Sequence, residues 1–382
     1  MKFAHMGDCH LGGWRQPELM ALNMRSFQFA VDTCIKEKLD FALIAGDLFD
    51  NAYPPIDILK ETFQEFKRLK DANIPVFLIA GSHDYSASGK SFLDVLEKAG
   101  LATNVFKSEE KNNIIYLSPT IYKNIAIYGY PGKKSALEVE DIARIKLHDS
   151  PGLFKILMLH TALRDAVGNL PIPAVDQEKL PKVDYTALAH LHIKYNRNNR
   201  VYCGPLFPNN ALELEELKGG SFYIVETNGK IERREVKLKE IEIIDLEVTN
   251  ALTATEKIID EIKKRDIKDK IAILRLHGFI ETGAATDIRL GEIEWLAKKQ
   301  GAYALLKNIG KLHARDRIVQ AEWGSEKLEE AIIETFQREN PNALNTLISP
   351  LISVLQAEKK EEENAQKFED RLLEEVNRVI LP

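Results

Sequence analysis

Cysteine is scarce in this sequence, and long apolar runs are missing. The 382 residues include three cysteines, Cys9, Cys34 and Cys203. Their odd number and wide spacing exclude a cysteine-rich zinc knuckle and fit a reducing compartment. No apolar run reaches the roughly 18 residues of a membrane span. The opening "MKFAHMGDCHLGG" turns polar too early for a signal peptide. These absences predict a cytoplasmic protein.

The composition also lacks an excess of positive charge. Lys and Arg total 52 against 58 Asp and Glu, which gives a formal net charge of −6. An enzyme that acts on nucleic acid would therefore need a local basic patch. The candidates for a patch that faces phosphate are Lys133, Lys134, Lys194, Arg197 and Arg200.

Short apolar runs alternate with helical segments from residue 1 to about 205. The runs are continuous rather than alternating, which indicates strands that are buried on both faces. We expect a layered α/β fold, with a hairpin around Asn228-Gly229 that closes this domain. The predicted strands are residues 2–6, 41–46, 76–81, 125–130, 154–160, 186–190 and 200–204.

The pattern changes near residue 241. A strand, a helix at 253–264 and a second strand predict a small α/β unit, and after about 325 only helical patterns remain. Asn340-Pro341 and Ser349-Pro350 are typical of helix starts. We therefore expect three parts, which are 1–240, 241–322 and a helical tail at 323–382.

Two apolar stripes in the tail repeat near the helical period. Such a ridge either packs within the chain or binds a partner, and the acidic flanks favour a partner. The first stripe is Leu344, Leu347, Ile348, Leu351 and Leu355, and the second is Phe368, Leu372, Val376 and Ile380.

Polar side chains follow the ends of five predicted strands. The carboxyl ends of parallel strands share one rim, so we expect these side chains around one crevice. Mixed imidazole and carboxylate ligands suit Mn, Fe or Zn. Two such ions would clamp a phosphodiester and lower the pKa of an attacking water. The set is Asp8, His10, Asp47, Ser82, His83, Asp84, His160, His190 and His192.

Individual members of this set carry different expectations. Asp47 stands alone at its strand end and is the natural bridging ligand between two ions. His83 suits a proton donor near the leaving oxygen, with Asp84 fixing its orientation. A single histidine usually has no ligand role, and only the joint pattern overturns that expectation. We keep it for His5, His148, His277 and His313.

These motifs resemble those of the calcineurin-like phosphoesterase superfamily. D-x-H-L-G at 8–12, GDLFD at 46–50, G-x-H-D at 81–84, His160 and H-L-H at 190–192 occur in its order and spacing. The pair DxHLG and GDLFD is similar to the double-strand-break repair nucleases of the Mre-eleven and SbcD type. The resemblance is strong over the first 205 residues. In the next domain it is limited to the position and small size of that domain.

The resemblance implies a manganese-dependent DNA exonuclease and endonuclease of prokaryotic cytoplasm, associated with the nucleoid. It also implies a homodimer, a capping domain that directs DNA, and a tail that binds an SMC-like coiled-coil ATPase of the SbcC type. His83 would assist the leaving group, oriented by Asp84. The implied ligands of two Mn²⁺ ions are Asp8, His10 and His192 for one, Ser82, His160 and His190 for the other, and Asp47 as the bridge.

Three departures from the family pattern bear on this site. Ser82 replaces an Asn, so a short hydroxyl stands where an amide oxygen is usual, and the second metal position is expected to be weak. Ser82 either binds metal or caps the helix that follows. Ala189 replaces a Gly, and the loop "YCGPLFPNN" at 202–210 replaces a "PGS"-type loop.

Two other functions remain open at this point. One is a two-metal phosphoesterase that acts on a nucleotide or a phosphoprotein. The other is a catalytically weakened scaffold that binds DNA ends. A nuclease assay on double-stranded ends with manganese, beside a small chromogenic phosphodiester, distinguishes all three.

Overall fold

The first 240 residues are built around two six-stranded sheets. The computed structural model describes residues 1–85, 90–168, 170–314, 337–338, 344–355, 357 and 365–380. Its strands are β1 Lys2–Met6, β2 Phe41–Ile44, β3 Val76–Leu78, β4 Thr103–Asn104, β5 Ser108–Lys111, β6 Ile114–Leu117, β7 Thr120–Tyr122, β8 Ile125–Tyr130, β9 Ile145–Leu147, β10 Phe154–His160, β11 Tyr185–Ala189, β12 Tyr195–Arg197, β13 Arg200–Tyr202, β14 Gly220–Glu226, β15 Ile231–Val236, β16 Ile241–Glu247, β17 Ile271–Ile280 and β18 Ala304–Ala314.

The sheets have mixed order and parallel centres. The first runs β15-β14-β1-β2-β3-β4 and the second runs β12-β13-β11-β10-β8-β7. Strands β1, β2 and β3 are parallel, as are β8, β10, β11 and β13. The expected hairpin is confirmed, because β14 and β15 pair in antiparallel register around Asn228-Gly229. Strand β14 also pairs with β1, so the hairpin extends the first sheet.

Apolar layers separate these sheets from each other and from the helices. Phe3 and Phe41 stack at 4.7 Å between the sheets, against Ile127 and Met158 from the second. The outer face of the first sheet is covered by helices, and the second by β6 and β9. The predicted layered α/β fold is therefore confirmed. The helices are α1 Pro17–Lys36, α2 Ile56–Asp71, α3 Phe92–Lys98, α4 Glu138–Ile142, α5 Arg164–Val167, α6 Ala211–Leu217, α7 Ala251–Lys263 and α8 Leu290–Lys299.

A three-stranded sheet of β16, β17 and β18 follows the hairpin. Helices α7 and α8 cover one face of it through an apolar core of their own. Its other face places Ile273 and Leu306 against Trp14, Leu19 and Phe207 of the preceding domain. The α/β unit is thus joined to the loop after β1 and to the segment that leads into α6.

The residues from His313 to Pro382 form a separate unit. Its two described helices, Asn345–Leu355 and Ala365–Ile380, contact each other. The predicted helix start at Ser349-Pro350 is wrong, because Pro350 lies inside the first of these helices. Apolar periodicity across the proline outweighs the one hydrogen bond that it removes. Asn340-Pro341 lies outside the described residues. Among the described residues, no helix is long and apolar enough to cross a membrane.

We expect Phe41→Ala to lower the free energy of unfolding by about 3–5 kcal/mol, because it opens a cavity between the two sheets. The ring is fully buried. Phe29→Ala is the matched control, since that ring on α1 is 40% exposed and should cost under about 1 kcal/mol. Urea unfolding followed by circular dichroism measures both. Equal losses in the two variants would contradict the assignment of Phe41 to the core.

Candidate metal centre

Side chains from five strand ends meet at one rim of the two sheets. Their backbone positions follow β1, β2, β3 and β11 or, for His160, end β10. The ligand atoms of Asp8, His10 and His192 lie within 4.8 Å of one another, and so do those of Asp8, Asp47 and His160. Five of the nine predicted residues therefore come together in two overlapping groups, whereas Asp84 and His190 belong to neither.

The backbone at this rim is held in a rarely populated conformation. Asp8, His10 and Asp47 have φ values of 48°, 43° and 49°, and His190 reaches 98°. Gly46, before Asp47, has φ of 100°, and a Cβ there would lie 2.4 Å from His160 Nδ1. Non-glycine residues adopt such angles at a cost of about 1–3 kcal/mol each, and they cluster at functional sites. The strain at four of the nine predicted residues marks this rim as the site.

Three buried carboxylates hold the loops of different strands together. Both oxygens of Asp8 accept the backbone N–H of His190, at 2.9 and 3.1 Å. Asp47 Oδ1 accepts the N–H of His83 at 2.8 Å. Asp84 accepts the N–H groups of Gly81 and Phe49, at 2.9 and 3.1 Å. Each motif thus fixes the backbone of another.

The expected pairing of Asp84 with His83 is wrong. The Asp84 carboxylate is buried and accepts backbone N–H groups on both oxygens, including that of Leu48 at 3.3 Å. His83 instead places Nδ1 2.6 Å from the carbonyl oxygen of Asp50, and its side chain is exposed. Asp84 positions the two loops, while the Asp50 carbonyl orients the His83 ring.

The histidines turn one ring nitrogen towards an oxygen and the other into the site. His160 Nδ1 donates to the Ala45 carbonyl at 3.0 Å, and His192 Nδ1 lies 3.0 Å from Glu213 Oε2. His10 Nδ1 lies 3.3 Å from Asp50 Oδ1. This arrangement turns each Nε2 towards the site, the orientation that histidines use when they bind a metal through Nε2.

These Nε2 atoms converge on one another and on carboxylate oxygens. His10 Nε2 and His192 Nε2 are 3.2 Å apart, and His160 Nε2 is 3.2 Å from Asp47 Oδ2. His160 Nε2 is buried and has no hydrogen-bond donor among the described residues. Groups of this kind at these distances share either a proton or a metal ion between them. The donor set of imidazole nitrogens and carboxylate oxygens therefore fits divalent metal ions.

The electrostatics of the site favour positive charge at the same place. Burial raises the pKa of Asp47, but the charges of His160 and His10 outweigh it and hold this pKa below its usual range. Burial lowers the pKa of His160, and the charges of Asp47 and Asp8 outweigh it and raise this pKa to about 9. Burial and the charge of Asp47 raise the pKa of Asp84 to about 6. Without a metal, a proton on His160 balances Asp47.

Three further residues of the site escaped the sequence analysis. Asp50 lies beside His10 and His83, and with them forms a third group of close ligand atoms. Asn209 donates from Nδ2 to Asp50 Oδ1 at 3.1 Å. Glu213 on α6 contacts His192 and accepts the N–H of Asn209 at 2.8 Å. Asp50 belongs to the GDLFD motif and Asn209 to the altered loop at 202–210, whereas no sequence signal indicated Glu213.

The segment from Phe207 to Glu215 faces the metal centre on one side and the small α/β unit on the other. Trp14 Nε1 donates to the Pro208 carbonyl at 2.9 Å, beside the buried ring of Phe207. Arg275 on β17 donates to Glu215 at 2.9 Å. The altered loop at 202–210 thus places Asn209 in the site. The contact between Arg275 and Glu215 joins the following helix α6 to β17.

The other two departures have separate structural outcomes. Ala189 is fully buried, and a Cβ at Gly7 would lie only 2.6 Å from its methyl group. The extra methyl is therefore accommodated because Gly7 lies opposite. Ser82 lies in the turn after β3, and the helix that follows among the described residues is capped by Ser91. The capping role considered for Ser82 is therefore wrong.

The expected basic patch is partly neutralised. Lys133 pairs with Asp141 at 2.5 Å, and Arg200 pairs with Asp165 at 3.3 Å. Lys134, Lys194 and Arg197 are exposed, and have no ion pair with any residue that the structure describes. Three of the five expected cations are therefore not neutralised by a described carboxylate.

Comparison with known proteins agrees with this geometry. The model of the family described as calcineurin-like phosphoesterase matches residues 1–194. The DNA double-strand break repair protein Mre11 of Archaeoglobus fulgidus is 24% identical over 337 residues, which are 80% of this chain and 74% of that protein. The protein of the same name from Methanocaldococcus jannaschii is 30% identical over 264 residues, which are 65% of this chain and 67% of that protein.

A bacterial relative belongs to the same group of matches. The uncharacterized metallophosphoesterase YhaO of Bacillus subtilis is 27% identical over 285 residues, which are 68% of this chain and 67% of that protein. These matches confirm the resemblance that the motifs indicate. Together with the converging histidines and aspartates, they establish that the chain belongs to the calcineurin-like phosphoesterase family and is a metal-dependent phosphoesterase.

Proposed function

We propose that this chain is a manganese-dependent DNA nuclease that processes the ends of double-strand breaks. The observation that carries the proposal is the pair of overlapping ligand groups that share Asp8. A site for two ions suits phosphodiester hydrolysis. The curated relatives from archaea are named for double-strand break repair, which supports DNA as the substrate.

The geometry supports some of the proposed metal ligands, and the family motifs suggest the others, Ser82 and His190. Asp47 Oδ2 lies 3.2 Å from His160 Nε2 and 3.8 Å from His10 Nε2, a position that suits a bridge between two ions. Ions held here would supply Lewis-acid activation of water and of the phosphodiester. The proposed ligands are Asp8, His10 and His192 for the first position, and Ser82, His160 and His190 for the second, which the short Ser82 side chain weakens.

Protein groups around the ions would orient the metal ligands and protonate the leaving oxygen. The exposed ring of His83 would donate a proton to the leaving oxygen, held in place by the Asp50 carbonyl. Asp84 would keep the loops of Asp47 and His83 in register through its backbone contacts. Glu213 would fix the His192 ring for metal binding.

The remaining parts of the chain would recruit DNA and a partner. We propose that residues 1–240 form the nuclease domain, that 241–322 form a cap that directs DNA, and that the protein works as a homodimer. The tail at 323–382 would bind an SMC-like coiled-coil ATPase. Leu344 and Leu355 are 63% and 62% exposed, which leaves apolar surface on that part of the tail.

We expect the wild-type protein to cleave linear double-stranded DNA when manganese is present. Asp47→Ala should lose both ions and cleavage, because the bridging carboxylate serves both positions. His83→Ala should keep its metal and lose about 10²–10⁴-fold in rate, the range of a positioned acid. Metal content by mass spectrometry and single-turnover cleavage measure the two effects.

The control for these variants is His148→Ala, since His148 is exposed and lies outside the groups of ligand atoms. It should behave as wild type. A wild type that hydrolyses a chromogenic phosphodiester but leaves DNA intact would contradict DNA as the substrate. Loss of metal from His83→Ala would make His83 a ligand together with His10 and Asp50.

Glu213→Ala should weaken manganese binding about 10–100-fold, because the His192 ring loses the carboxylate that fixes its orientation. Calorimetric titration of the metal-free protein measures the change. Glu216→Ala is the matched control, since Glu216 is exposed on the same helix. Unchanged affinity in Glu213→Ala would show that the contact with His192 does not support metal binding.

A chain that ends after about residue 330 should keep metal binding and manganese-dependent cleavage, because the metal centre uses none of the tail. It should lose association with the ATPase, because both apolar stripes are removed. Co-purification of the two proteins after joint expression measures the association. Retained association would place the binding surface elsewhere in the chain.

A further inference from the structure

An open cleft of about 520 Å³ adjoins the metal centre. It is lined in part by Asp50 and His83, which also form a ligand group with His10. Its volume falls within the range of sites for small ligands. A substrate whose phosphodiester lies at the metal centre therefore has room to place a neighbouring group in this cleft.

The walls of the cleft carry two tyrosine rings that the metal chemistry does not use. Tyr53 is 70% exposed, although it is a large aromatic side chain. Its backbone is held in a turn, because its N–H donates to Asn51 Oδ1 at 3.0 Å. Tyr85 is half-buried in the same cleft. An exposed ring on a fixed turn is a platform on which a planar group stacks at low entropic cost.

A cation lies in the same cleft. Lys134 is exposed and has no ion pair with the residues that the structure describes, whereas its neighbour Lys133 pairs with Asp141. The cleft therefore offers one aromatic platform and one available ammonium group beside His83. This combination matches a nucleotide unit, which carries a planar base and a phosphate.

We propose that this cleft receives the base of the nucleotide next to the scissile phosphate, with the Tyr53 ring stacked on it and Lys134 near the adjoining phosphate. This inference rests on the proposed function, because it assumes a nucleic-acid substrate. The base must leave its stack to enter, so the cleft selects an unpaired nucleotide. Every base has a flat aromatic face on which a ring can stack, so we expect little preference among the four bases.

Two esters with the same chromophoric leaving group test the proposal. The p-nitrophenyl ester of thymidine 5′-phosphate carries a base, and methyl p-nitrophenyl phosphate carries none. In wild type, kcat/KM should be higher for the thymidine ester. Tyr53→Ala should lower the ratio of the two kcat/KM values about 5- to 150-fold, mainly through KM, since base stacking contributes about 1–3 kcal/mol. Tyr53→Phe should retain the ratio.

Trp295→Ala is the control for loss of an exposed aromatic ring, since Trp295 is 61% exposed on α8 and does not line the cleft. It should keep the wild-type ratio. A parallel fall for both esters in Tyr53→Ala, or an unchanged ratio, would overturn the proposal. Failure to cleave DNA by a wild type that favours the thymidine ester would count against the proposed nuclease alone.

A binding measurement covers the case in which neither ester turns over. Two oligonucleotides, one with 2-aminopurine at its 5′ end and one with it at its 3′ end, are each titrated with protein in the presence of calcium. Stacking on Tyr53 should quench the fluorescence of one of the two oligonucleotides with wild type and Tyr53→Phe, and Tyr53→Ala should lose the quenching. Quenching that persists in Tyr53→Ala, or is absent in wild type, would overturn the assignment.

Discussion

Buried carboxylates that accept backbone N–H groups from neighbouring loops are the constraint on which the site depends. Asp8 holds the turn of His190, and Asp47 holds that of His83. Asp84 holds the loop that contains Phe49. A carboxylate buried without such donors would be too costly to keep charged. The strained φ values at the rim persist because these contacts determine each turn from more than one side.

The positions of the histidines depend on the same framework. In His160, His10 and His192 an oxygen beside Nδ1 directs Nε2 inwards, and these oxygens come from the Ala45 carbonyl, Asp50 and Glu213. Folding therefore brings imidazole nitrogens and carboxylate oxygens together at distances that favour a bound cation.

The sequence predicted most of the strands and the rim because continuous apolar runs and polar strand ends are local signals. It missed Asn209 and Glu213, which reach the site only because α6 packs between β17 and the β1 loop. It also assigned Asp84 to His83 from their adjacency, although successive side chains in a turn point in different directions. The predicted helix start at Pro350 was wrong because the apolar periodicity of the segment outweighed the helix-breaking effect of one proline. Long-range contacts such as those of Asn209 and Glu213 produce no sequence pattern at a fixed spacing, so they could not be predicted.

The close approach of Gly7 and Ala189 joins the first sheet to the second directly beneath the metal centre. Only one methyl group fits between the two backbones at this point. Glycine at 189 would remove the closest of the contacts that an alanine at position 7 would make, and Cys203 Sγ would still lie 3.1 Å away. The two positions are therefore coupled through one shared volume across 182 residues of sequence, so that the cost of a methyl group at position 7 depends on the side chain at 189.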